Sequence, residues 1–200
     1  MTNKSRNALL VCVLLAIVAF HMAVAWQDFS VLARNGFLYD DSFYAFQIAR
    51  NLAEGGGMTF DGIHPTTGFQ PLYVFMLVPV FLIAGGDPAL PIHISLSLLA
   101  IFSGLTGYLL FRITRRYVGF SAAIAATLIW AFSPIVIRQT ANGLETAIAT
   151  FMIAASVLYY LARVREHEDP PLVRFLVMGL LLGLGIVSRI DLSLIHISEP

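Results

Sequence analysis

The sequence predicts an all-α, polytopic helical membrane protein, and three observations carry that prediction. Hydrophobic residues make up 58% of the chain against 12% charged, with a mean hydropathy of +0.80, which is far more apolar than an ordinary soluble domain. The apolar residues gather into long runs: Ala8 to Trp26, Pro71 to Ala84, Leu90 to Phe111, Phe120 to Ile137, Thr146 to Ala162 and Leu172 to Val187. Charged residues stand at the ends of these runs, where a side chain in a bilayer can reach water.

A spanning helix needs about 20 apolar residues, with roughly 17 as a practical minimum. The run from Pro71 is the short one, closed by Gly85, Gly86 and Pro88, and is expected to stay at the interface. Charge bias supports that placement, because Lys and Arg of short loops collect on the cytoplasmic side. With this run held out of the membrane, Lys4, Arg6, Arg112, Arg115, Arg116, Arg163, Arg165 and Arg174 fall inside. Arg34, Arg50, Arg138 and Arg189 fall outside, so eight of the 12 basic residues are cytoplasmic. If the run crosses, the ratio inverts. Five spans with the amino terminus inside are therefore expected, in a multi-pass protein of the cell membrane, bacterial plasma membrane by preference. Ala23, Val24 and Ala25 form an A-x-A cleavage pattern after the first run, but the length of that run and the spans after it favour an uncleaved anchor.

Other classes fall away on composition. Net charge is zero and basic residues form no long run, so no nucleic-acid partner is expected. Cys12 is the single cysteine, which leaves no disulfide framework and no cysteine metal site, and its expected role is packing.

The nine residues from Leu192 to Pro200 read as the translation of a transposase adapter used in DNA sequencing libraries. They are set aside, and the natural chain is expected to continue past Asp191. Residues 1–191 then form one transmembrane module, truncated, with its first external loop at 27–70.

That loop carries two adjacent acids, Asp40 and Asp41, at the head of a predicted helix at about 41–54. Ala45, Ile48, Ala49 and Leu52 recur at helical spacing, Gln47, Arg50 and Glu54 take the remaining surface, and Gly55 to Gly57 mark the stop. The pattern is that of a short amphipathic helix at a membrane interface. One acid can be an N-cap, which leaves the second without a structural task. Downstream, Asp61 to Tyr73 is rich in turn formers and brings His64, Thr66, Thr67 and Gln70 to the edge of the second run, either as a connecting turn or as the lining of a polar pocket. His64 alone is too little for a metal site. Arg138 and Glu145 flank the second external loop, and Arg189 and Asp191 close the last run. All can equally mark membrane boundaries. In the predicted topology they share one face with Asp40 and Asp41.

These residues resemble the amino-terminal part of GT-C integral-membrane glycosyltransferases, among them protein O-mannosyltransferases, lipid A aminoarabinose transferases and oligosaccharyltransferase catalytic subunits. Asp40-Asp41-Ser42-Phe43-Tyr44 is similar to the acid-acid-x-x-Tyr pattern of the first external loop in the first two groups. Pro71-Leu72-Tyr73 is similar to their Pro-Pro-Leu-Tyr turn, with Gln70 in place of the first proline. Ser103-Gly104-Leu105-Thr106 is like a span of the oligosaccharyltransferase subunits, and Arg138, Gly143 and Glu145 resemble an Arg-x-x-x-Gly-x-x-acid arrangement, with Glu where Asp is usual and the spacing changed.

The resemblance implies transfer of a sugar from a polyprenyl-phosphate donor to a lipid, glycan or protein acceptor outside the cytoplasm, as in cell-envelope assembly. It implies Asp40 as the catalytic acid that receives the acceptor's proton, with Asp41 assisting. Tyr44, His64, Gln70, Arg138, Glu145, Arg189 and Asp191 become substrate-binding candidates, and either arginine suits a leaving phosphate. No nucleotide cofactor is needed, and no metal ligand is assigned; two carboxylates plus Glu145 permit a divalent metal without requiring one. The truncated chain is expected to be inactive alone. The competing class is a non-enzymatic transporter or envelope-assembly subunit, which would place ionisable residues in mid-span. His93 is the main candidate of that kind.

Overall fold

Helices account for all the regular structure of the computed structural model, which describes residues 2–190. In chain order they are α1 (Asn3–Ala25), α2 (Phe29–Arg34), α3 (Asp40–Ala53), α4 (Pro71–Ala84), α5 (Leu90–Val118), α6 (Phe120–Ala131), α7 (Pro134–Thr140), α8 (Thr146–Tyr159) with a π-helical continuation at Tyr160–Val164, and α9 (Leu172–Ser188). The all-α membrane class is therefore correct. Three helices, α1, α5 and α8 with its continuation, are long and apolar enough to cross a membrane, and α6 with α7 makes a fourth if the bent pair is one span. Of the two shorter apolar helices, α9, the expected fifth span, has 17 residues, and α4 has 14 with Pro79 inside it.

The expected continuous span from Phe120 to Ile137 is broken. Pro134 has no N–H and crowds the residue before it, so Ser133 turns extended at φ −62°, ψ 130°. The axis bends by 60° between α6 and α7. Ending a helix inside the fold orphans carbonyls, and buried His21 of α1 serves one of them, its Nε2–H donating to the Ala131 carbonyl at 3.0 Å.

The long α5 is the centre of the bundle, with α1, α6 and α8 packed around it and α9 packed on α8. Small residues make this close approach possible. Ser103, Gly104 and Gly107 are buried on α5; a Cβ on Gly104 would collide with Val18 of α1, and one on Gly107 would meet the Thr127 methyl of α6 at 3.5 Å. The apolar face of α3 is spent on α4: Ile48 and Ala49 bury fully against a cluster containing Tyr73, Val74 and Leu77, which continues into Leu96 and Leu99 of α5 and Ile148 of α8.

Basic residues collect at one end of the bundle. Arg6 and Arg115 both lie over the Phe120 ring, at 5.7 and 5.9 Å. Arg116 pairs with Glu166, and Arg174 donates to the Arg163 carbonyl at 2.7 Å. His93, singled out as a mid-span group, instead lies in the first turn of α5, near an end, stacked on Trp26 and bonded to the Ala25 carbonyl at 2.7 Å. A transporter's buried relay gains nothing from that position.

Candidate active site

The structure starts α3 at Asp40 itself, so Asp40 and Asp41 occupy its first two helical positions. Neither acid is the cap. That place is taken by Tyr39, in extended conformation at φ −92°, ψ 150° and without a side-chain cap bond, which corrects the N-cap reading. Acids in the first turn are favoured by the helix dipole, yet both carboxylates are exposed and make no hydrogen bond or ion pair to a described residue. They are open to a ligand.

The residues just around them are fixed firmly. Tyr39 N–H donates to the Asn142 carbonyl at 3.3 Å, and Ser42, fully buried, donates through Oγ to the Tyr39 carbonyl at 2.6 Å. Gly143 lies directly against Ser42; its φ of +74° is one that L residues rarely adopt, and a Cβ there would stand 2.7 Å from Ser42 Cβ. The Gly143 carbonyl accepts from the fully buried Tyr73 hydroxyl of α4 at 2.8 Å. Burial, and secondarily the Glu145 charge, pushes that phenol above its ordinary pKa, which keeps it a donor.

Asn142, fully buried, organises the turn: its side chain accepts from Leu144 N–H at 2.9 Å and donates to Gln139 Oε1 at 2.8 Å. Behind it, Glu145 is buried with its Oε1 3.9 Å from Arg189 Nε, and Arg189 also reaches Thr146 Oγ1 at 3.4 Å. Gln70, the residue before α4, accepts through Oε1 from Ile190 N–H at 2.9 Å. Four sequence-distant segments are thus tied together: the start of α3, the start of α4, the turn between α7 and α8, and the end of α9.

Among the sequence candidates, the structure gathers Gln70, Glu145 and Arg189, and it ties the start of α3 to their neighbour Asn142. The others sit differently. Tyr44 is engaged by the loop before α4, its hydroxyl 2.9 Å from Thr66 Oγ1 and its ring stacked on Phe60 at 4.5 Å. His64 is exposed and bonds Asp61 at 2.8 Å; that side-chain bond first, then the His64 and Ile63 N–H groups, hold the Asp61 carboxyl below its usual range. Both residues stiffen the loop before α4, which Asn51 anchors by donating to the Thr59 and Phe60 carbonyls at 2.9 and 3.1 Å. Arg138 is exposed in the last turn of α7 and has no bonded partner among the described residues. Asp191 and the segment 192–200 lie outside the described residues.

The sequence marks Tyr73 and Gly143 only as parts of the resembling motifs, and it assigns no role to them or to Asn142. The Asn-Gly pair is a turn signal in its own right, whereas a Tyr inside an apolar helix gives no sign of its partner 70 residues away. No three His, Cys, Asp or Glu side chains gather to hold a metal ion among the described residues.

Comparison with known proteins gives one family: the dolichyl-phosphate-mannose-protein mannosyltransferases match residues 64–198, more than half of the chain. Arg138, Glu145 and Arg189 fall inside the matched interval, and Asp40 and Asp41 precede it. No curated protein and no solved structure matches.

Proposed function

The chain belongs to the dolichyl-phosphate-mannose-protein mannosyltransferase family, a group of GT-C membrane glycosyltransferases, and from that premise we propose that it transfers a sugar, mannose foremost, from a polyprenyl-phosphate donor to a lipid, glycan or protein acceptor on the non-cytoplasmic face of the membrane. The observation behind the reading is the backbone bond from Tyr39 to Asn142, which ties a helix start carrying two carboxylates without a bonded partner among the described residues to the turn that leads into the Glu145–Arg189 pair. One side offers a base and the other a cation, as an acceptor hydroxyl and a leaving phosphate require.

In this mechanism Asp40 takes the proton of the acceptor hydroxyl while its oxygen attacks C1 of the sugar. The C1–O bond to phosphate breaks as the new glycosidic bond forms, and the electron pair leaves with the lipid phosphate. Arg189, held near Glu145, or Arg138 at the turn's entrance receives that charge. Asp41 positions the acceptor. A lipid-linked donor suits a catalyst built of membrane helices, because its chain stays in hydrocarbon while phosphate and sugar reach the polar turn.

Membranes containing the full-length protein are expected to transfer labelled mannose from mannosyl polyprenyl phosphate and none directly from a nucleotide sugar. Transfer from the nucleotide sugar with the lipid donor excluded would reverse the assignment. The orientation rests on the cluster of Arg6, Arg115, Arg116 and Arg174 at one end. In a Cys12→Ser background, an impermeant thiol reagent added outside is expected to label Ile63→Cys and not Tyr117→Cys; both native side chains are well exposed, at 76% and 61%. The opposite pattern would place the acids in the cytoplasm.

A further inference from the structure

Between α5, α6, α7 and α8 lies a recess of about 140 Å³. It exists because Pro134 breaks the span: the 60° bend swings α7 away from the line of α6 and opens a space against α5 and α8. Hydroxyls furnish its inner wall, from Ser103 and Thr106 on α5, Thr140 on α7, and Thr146 and Thr150 on α8. Ser103, Thr106 and Thr140 are buried, so these oxygens face inward from helices that are otherwise apolar.

The hydrogen-bond inventory of this wall selects among ligands. Thr106 and Thr150 spend their hydrogens on the carbonyls one turn earlier, Phe102 at 2.8 Å and Thr146 at 2.7 Å. Their oxygens remain as acceptors. Ser103 Oγ accepts from Thr140 at 3.3 Å, and its own hydrogen has no acceptor among the described residues. Gln139, whose Oε1 accepts from Asn142, likewise keeps its amide hydrogens to offer. A phosphate only accepts, and would find lone pairs of Thr106 and Thr150 facing its own. A sugar ring donates and accepts through every hydroxyl, as this wall does.

The opposite side is apolar. Trp130, Ile135, Val136 and Ala147 complete the lining, and Ile135 is 73% exposed. The inner end is tied to the candidate active site, since Thr146 Oγ1 receives both Asn142 Nδ2 and Arg189 at 3.4 Å, and Asn142 in turn holds Tyr39, the residue before Asp40. We propose that this recess binds the sugar ring of the lipid-linked donor, with C1 and its phosphate turned to the inner end, toward Arg189. The proposal rests on the reading of the chain as a lipid-linked sugar transferase.

The test is binding of two lipids of equal chain length, mannosyl polyprenyl phosphate and bare polyprenyl phosphate, to the full-length protein in detergent. Thr106→Val and Thr150→Val remove an acceptor oxygen whose only internal bond is to a carbonyl already held in its helix, so folding is retained. Each is expected to weaken mannosyl-lipid binding about tenfold, the scale of one lost hydrogen bond, and to leave the bare lipid unaffected. Thr106→Ser and Thr150→Ser, which restore the oxygen, are expected to bind both lipids as the parent does. Equal weakening of both lipids would make the recess a phosphate or chain site, and unchanged binding of both would remove it from donor recognition; either overturns the proposal. Failure of the parent protein to bind either lipid would instead overturn the transferase reading itself.

Discussion

Asp40→Asn is expected to reduce sugar transfer by about a thousandfold or more while the protein inserts and folds as before. Removal of a positioned base costs about 10² to 10⁴ in rate, and a thousandfold loss corresponds to about 4 kcal/mol of transition-state stabilisation. The substitution is nearly isosteric and leaves the mechanical parts of the site alone: the bonds fixing the start of α3 belong to Tyr39 and Ser42, and the Asp40 carboxylate joins none of them. The effect should therefore fall on kcat, with donor binding and thermal stability in detergent unchanged. Asp41→Asn, one position further into the helix, should lose less and chiefly in the KM for the acceptor. If the Asp40 variant turns over normally, Asp40 is not the base; if Asp41→Asn proves the more severe, the two roles exchange.

Much of this arrangement was legible in the sequence because it rests on local or compositional physics. Apolar runs must become helices in hydrocarbon, where backbone groups have no water to bond, and the period of Ala45, Ile48, Ala49 and Leu52 marks the buried side of α3, with Ile48 and Ala49 fully buried. The break at Pro134 is legible too, since the same residue type opens the apolar run at Pro71. It was masked by the length of the surrounding apolar run. Two features had no local signal. The pairing of α3 with α4 uses the face that a single sequence assigns equally well to a membrane surface, and only the tertiary contact decides between them. The second is the route by which the site assembles, through backbone groups: Tyr39 N–H to Asn142, Tyr73 hydroxyl to Gly143, Ile190 N–H to Gln70. Side-chain type predicts a carboxylate or a guanidinium, but it says nothing about which main-chain group another segment will reach. For the same reason Tyr44 and His64, chosen by type and nearness in sequence, turned toward their own loop.

Gly143 is where that assembly is least tolerant, and Gly143→Ala should damage both stability and turnover. Two costs coincide there. A left-handed backbone burdens an L residue by about 1–2 kcal/mol, and the added methyl would stand 2.7 Å from Ser42 Cβ, 3.0 Å from Ser42 Oγ and 3.2 Å from Phe46 Cζ. Overpacking of this kind costs about 1–3 kcal/mol. Neither neighbour yields readily: Ser42 is fully buried and bonded to Tyr39, and Phe46 is buried on the next turn of the same helix. Relief must come from α3 moving off the turn, which lengthens the Tyr39–Asn142 bond and displaces Asp40 relative to Arg189. The expected result is a melting temperature lowered by several degrees and kcat/KM lowered by at least about tenfold, since small misplacements of reacting groups are costly. Ser42→Gly in the same chain removes the nearest Cβ and should recover part of both losses, a coupling readable as a double-mutant cycle. Gly179→Ala on α9, where nothing lies within 4 Å, supplies the control and should change stability by no more than about 1 kcal/mol. If Gly143→Ala behaves like that control, the Asn142–Gly143 turn does not hold the catalytic helix, and the acids at the start of α3 must be positioned by something else.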